Sequence, residues 1–132
     1  MNLRKSARRL FTVGAIATVT AIAPSTAAFA GIGVSTTGAF LYCNTYNDGA
    51  LQGGHADCVL TDTSADSHSV YAVMQVDAWP SRRYDNSGGT GTTLHFTDHF
   101  WSDVVNWDYH YKVCRNVRFG SDNCSDWVHI GA

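Results

Sequence analysis

The strongest constraint on this chain is the placement of its four cysteines, Cys43, Cys58, Cys114 and Cys124, behind an N-terminus built like an export signal. An even cysteine count in a small exported chain reads as a disulfide framework. Four cysteines permit three pairings, and the two sequence-local ones, Cys43–Cys58 and Cys114–Cys124, are expected. The first pair brackets Tyr46-Asn47-Asp48-Gly49 and the second Phe119-Gly120-Ser121-Asp122, both rich in turn residues. Zinc ribbons set their cysteines about two to four residues apart. Here 14 and 9 residues intervene, so a cysteine metal site is not expected.

The export reading rests on residues 1–30. Arg4, Lys5, Arg8 and Arg9 make a basic start without an acid, and Leu10 to Ala23 is uncharged and largely apolar. Pro24 breaks that run, and Ala28-Phe29-Ala30 supplies small residues at the positions a signal peptidase reads. Cleavage is expected after Ala30, leaving 31–132 as one domain. The apolar run, about 14 residues, falls short of the roughly 20 that span a bilayer. Arg8-Arg9-Leu10-Phe11 also fits the twin-arginine export pattern, which keeps both routes open.

Losing the signal changes the charge. Residues 31–132 hold 5 basic side chains against 11 acidic ones, net −6 with histidine neutral, and every acid is an Asp. Duplex nucleic acid and anionic membranes reward clustered Lys and Arg, so neither is expected as a partner.

The remaining pattern is that of strands. Val70, Ala72, Met74, Val76 and Ala78 alternate with Tyr71, Val73, Gln75, Asp77 and Trp79, the period-two signature of a half-buried strand. Phe40 to Cys43, with a start near Val34, and His55 to Leu60 read as two earlier strands around the Asn47-Asp48-Gly49 turn. Pro80 ends or bends the long strand. Asp85 to Gly91 reads as a flexible loop, and Thr92 to Thr97 as the returning arm of a hairpin. From Val104 to Phe119, Val105, Trp107, Tyr109, Tyr111, Val113, Val117 and Phe119 are expected on one apolar face, with Arg115 marking a bend. Asp126 to Ile130 is expected as an edge strand. The sum is a small all-β protein, an antiparallel β-sandwich or partly open barrel with two disulfides.

Catalytic motifs fare poorly. His95-Phe96-Thr97-Asp98-His99 has the composition of a zinc-protease helix, but on a strand its two rings stand about 13 Å apart. Asp98, Asp103 and Asp108 are candidates for paired carboxylates, but sequence spacing does not set their separation, and eleven scattered aspartates read first as turn formers and solubilising charge. There is no Gly-x-Ser-x-Gly elbow, and Gly88-Gly89-Thr90-Gly91 lacks the lysine of a phosphate loop. No metal, cofactor or catalytic residue is therefore assigned.

Aromatic residues carry the functional expectation. Trp79 and Trp101 flank loops, and Tyr84 sits with Arg82 and Arg83 in a basic-aromatic knot. Exposed aromatics stack on sugars and dominate interfaces. The expected function is a monomeric, secreted, non-catalytic binding protein that engages an extracellular protein or glycan through Trp79, Tyr84 and Trp101. Two alternatives are a proteinaceous inhibitor presenting the stapled loop Arg115 to Asn123, and a small Asp/His hydrolase.

Ser69-Val70-Tyr71-Ala72-Val73, Arg83-Tyr84-Asp85-Asn86 before Gly89-Thr90-Gly91-Thr92-Thr93, Val113-Cys114-Arg115-Asn116 and Cys124-Ser125-Asp126-Trp127 resemble a group of small two-disulfide secreted actinobacterial β-proteins. The resemblance spans most of residues 40–128. It implies the compartment and the fold, and carries over no site residue.

Overall fold

A computed structural model describes residues 28–49, 53–76, 79–101 and 108–131. The described residues form strands β1 (Ala28–Thr36), β2 (Ala39–Gly49), β3 (Gly53–Asp62), β4 (Val70–Val76), β5 (Arg82–Asn86), β6 (Thr93–Phe100), β7 (Asp108–Arg115), β8 (Asn123–Cys124) and β9 (Val128–Gly131). They build two antiparallel sheets. The first runs β1-β2-β3-β6; the second runs β5-β4-β7, with β8 and β9 both paired to β7. Among the described residues the fold is all-β, and no closed barrel forms.

Period-two alternation sets the faces. In β2, Ala39, Leu41, Cys43 and Thr45 are buried; in β4, Val70, Ala72, Met74 and Val76 are buried. With Ala56, Leu60, Phe100, Tyr109, Tyr111 and Val113 they fill the space between the sheets. Tyr109 and Tyr111 are wholly buried, as their parity predicts. Burying such side chains is worth roughly 1.5–3 kcal/mol each for the aliphatic ones, the main favourable term in a domain of this size.

Both expected disulfides are present. Cys43 and Cys58 face each other in the β2–β3 ladder, and Cys114 and Cys124 do so in the β7–β8 ladder. The first bridge lies in the core. The second lies on the outward row of β7, beside His110 and Lys112 in the alternation.

Three expectations fail in instructive ways. Val34 belongs to a separate strand, because Thr37-Gly38 makes a turn, with Gly38 at φ +81°, before β2 begins. The segment from Thr93 does not return as a hairpin arm. It crosses to the other sheet and pairs with β3, while β5 pairs with β4. Asn86 anchors the crossing: its Nδ2 donates to the carbonyls of Leu60 and Thr92, and Gly91 N–H donates to Asp62 O. Phe119 is not in the core, because β7 stops at Arg115 and the parity is lost beyond that bend. Val104 to Trp107, Asp77 and Ala78 lie outside the described residues.

Candidate functional site

Trp79 and Trp101 emerge from the same end of the sandwich. Trp79 N–H donates to Val76 O at the exit of β4, and Gln75 Nε2 donates to Trp79 O. Val76 is paired with Tyr109, whose ring stacks on Phe100 at 4.8 Å, and Trp101 is the next residue along. The two tryptophans are 55% and 64% exposed. Each is held at its base by a strand end packed into the core.

Tyr84 has a different place. It lies on the inward row of β5, half-buried, with its ring stacked on Phe96 at 4.1 Å. Its hydroxyl donates to Asp98 Oδ1 at 2.6 Å. Burial first, and the adjacent carboxylate second, push the Tyr84 hydroxyl up to about 12. The other arm of the basic-aromatic knot faces outward: Arg83 covers the Tyr71 ring at 3.5 Å and bonds Asp85.

Asp98 explains the inward pull. It is fully buried on β6 and accepts hydrogen bonds from Arg82 Nε and Nη2, Tyr84 and Tyr109, the last at 3.0 Å. A bidentate guanidinium and two phenols satisfy the carboxylate, which is what burial of a charge requires. Asp108 stands on the outward row of β7, so the two aspartates share no cleft. Asp103 lies outside the described residues. Among the described residues, Asp98 braces the two sheets and does not pair with Asp108.

The histidines regroup across strands. His95, Thr97 and His99 point outward from β6, with His95 opposite Val59 and His99 opposite His55. As strand geometry requires, His95 and His99 do not converge. His99 instead meets His55 at 5.6 Å between ring centroids, and His55 Nδ1 contacts both carboxylate oxygens of Asp48. A second trio, Asp108, His110 and His129, forms on the outward side of β7 and β9. Sequence reasoning missed both trios, because their members are neighbours only through strand register. The one visible signal was Asp108-Tyr109-His110, whose i, i+2 spacing puts carboxylate and imidazole on one strand face. Beside the first trio, Tyr42, Asn44, Asp57, Val59, His95 and Thr97 line a shallow depression of about 430 Å³ on the outer face of the first sheet.

The stapled loop between β7 and β8 is braced through Asp122, both within the loop and from β4. Asp122 Oδ1 accepts from Val117 N–H at 2.9 Å, and Asp122 Oδ2 accepts from Tyr71 OH at 2.6 Å. Phe119, at the tip, is 93% exposed, the highest among the exposed large apolar side chains.

Compared with known proteins, the chain matches no family model, no curated protein and no solved structure. Fold and surface define it by class: a disulfide-clamped β-sandwich that presents exposed aromatic side chains at its strand ends. Among the described residues, no helix is long and apolar enough to cross a membrane.

Proposed function

We propose that the protein is a secreted, non-catalytic binding protein that uses the strand ends carrying Trp79 and Trp101 to engage an extracellular protein or glycan. The observation that supports this is the pair of exposed indoles at one end of a stapled frame. Preorganised aromatics lose little side-chain entropy on binding, and Trp is among the commonest anchors of interfaces. Tyr84 acts from behind this surface by holding β5 against β6. The basic start and apolar run of residues 1–23 support export, and the two disulfides fit an oxidising compartment. A pull-down from culture supernatant and a glycan panel, each run with the wild type and the W79A/W101A variant, test the reading. Binding that the double variant loses supports it; a partner retained at full affinity removes these residues from the site.

A specific observation favours a second reading, inhibition of an extracellular hydrolase. Phe119 projects from a loop closed by Cys114–Cys124 and cross-braced by Asp122, the form of a side chain offered to an apolar specificity pocket. Micromolar protein tested against a hydrolase panel, with F119A as control, decides it.

A further inference from the structure

We propose that Asp108, His110 and His129 form a binding site for a borderline divalent transition metal, with zinc as the reference ion. The site joins β7 to β9. His110 and His129 are directly opposite in that ladder, with ring centroids 5.0 Å apart. Asp108, two residues before His110, presents its carboxylate on the same face. Its Oδ2 lies 3.2 Å from His129 Nδ1 and 3.8 Å from His110 Nδ1. The three residues offer ligand atoms that all lie within 4.8 Å of one another.

Two features point to a cation. First, bonds of roughly 2.0–2.1 Å in a tetrahedron put ligand atoms about 3.3 Å apart. The two separations from Asp108, 3.2 and 3.8 Å, bracket that value, and all three ligand atoms lie within 4.8 Å of one another, a spread that side-chain rotation can close. Secondly, His110 Nδ1 is sealed from solvent and has no hydrogen-bond partner among the described residues. The His110 side chain is only 13% exposed. Its ring meets that of Trp127 edge-on at 5.1 Å, and the Trp127 ring is itself covered by Lys112 Nζ at 4.6 Å. An imidazole nitrogen buried, fixed in orientation and left without a hydrogen bond is disfavoured unless something binds it. A metal ion placed among His110 Nδ1, His129 Nδ1 and Asp108 Oδ2 does so, and leaves a fourth position open to water or an external ligand.

Donor chemistry selects the ion. Two imidazoles and one carboxylate suit zinc, copper and nickel, whereas calcium and magnesium want all-oxygen shells. The consequence is structural as well. Cys114–Cys124 fastens β8 to β7, and the metal fastens β9 to the other end of the same strand. The proposal does not rest on the Trp79–Trp101 reading, although the site adjoins that strand end: His110 is paired with Gln75, whose Nε2 donates to Trp79 O.

The test is calorimetric titration of zinc chloride into the oxidised protein, purified without a histidine tag, with thermal melts alongside. His129 is exposed, so His129→Ala and Asp108→Asn are expected to fold, which circular dichroism verifies. The wild type is expected to bind zinc and melt higher with it. Each variant is expected to lose one zinc equivalent, or to bind it at least about tenfold more weakly. His99→Ala, which alters the other trio, is expected to keep that equivalent. No zinc binding by the wild type at 1 mM (about the weakest useful range) overturns the proposal. So does binding that His129→Ala and Asp108→Asn leave intact, or a calcium response equal to that of zinc.

Discussion

Arg82 on β5 and Asp98 on β6 belong to different sheets, yet the guanidinium meets the carboxylate through two hydrogen bonds of 2.6 Å. Tyr84 and Tyr109 complete the shell from the same second sheet. The contact closes the side of the sandwich where β5 and β6 meet, beneath the strand ends that carry Trp79 and Trp101.

Asp98→Ala is expected to destabilise the fold by about 3–5 kcal/mol, because it strands a guanidinium and two phenols without their acceptor. Urea denaturation followed by tryptophan fluorescence measures this. Asp98→Asn, which keeps the shape and loses the charge, is expected to fall between the variant and the wild type.

Alkaline pH should loosen the core. Tyr71, Tyr84 and Tyr111 are each pushed up to about 12, in every case by burial first, and Tyr109 moves further in the same direction. Unfolded tyrosines titrate near 10. A raised native value means the stabilising contribution is complete below about pH 10 and is lost as pH rises through about 12. Melting temperature should therefore fall across that window, and phenolate absorbance should appear together with unfolding.

At the acid end the sign reverses. Asp122 is held below the usual carboxylate range by the Tyr71 hydroxyl and then by Val117 N–H, and Asp66 chiefly by the His68 backbone amide. A lowered native value gives stability that is present above about pH 4 and lost as pH falls through the native titrations. Carbon-detected NMR titration is expected to find Asp122 moved upward in Tyr71→Phe.

Removing Cys114–Cys124 as a double alanine variant should release the loop from Arg115 to Asn123, where loop amides are expected to exchange faster by at least an order of magnitude. Removing Cys43–Cys58 should cost more in global stability, about 2–5 kcal/mol, since it also opens a cavity between the sheets. Hydrogen exchange and denaturant melts separate the two effects.

Gly54→Ala is expected to cost about 1–3 kcal/mol by overpacking. A Cβ at this position would run into the Tyr46 carbonyl and come within 2.8 Å of the Phe100 ring. The loss is expected in denaturant melts without a change in secondary structure.

Much of the fold was legible because its signals are local. Alternation from Val70 to Val76 names the buried row of β4, and the turn after Asn116 brings Cys114 to Cys124. Asn47-Asp48-Gly49, expected as a turn, instead belongs to β2, which pairs with β3 and sets Cys43 against Cys58. Phe119 shows the limit of that reading: parity predicts a face only while the chain remains a strand. Tyr84 shows another. Its neighbours Arg82 and Arg83 suggested an exposed knot, but the residue that claims it, Asp98, sits on a strand of the other sheet.

Alternating chemistry along the chain, and cysteines placed around short turns, were enough by themselves to determine an all-β fold with two local disulfides. Only the tertiary structure decided that β6 leaves β5 for β3, that Asp98 is buried against Arg82, and that His129 stands opposite His110. The reason is physical: a strand's own residues set which side faces inward, whereas its neighbour and register are chosen by many weak contacts between segments far apart in the chain.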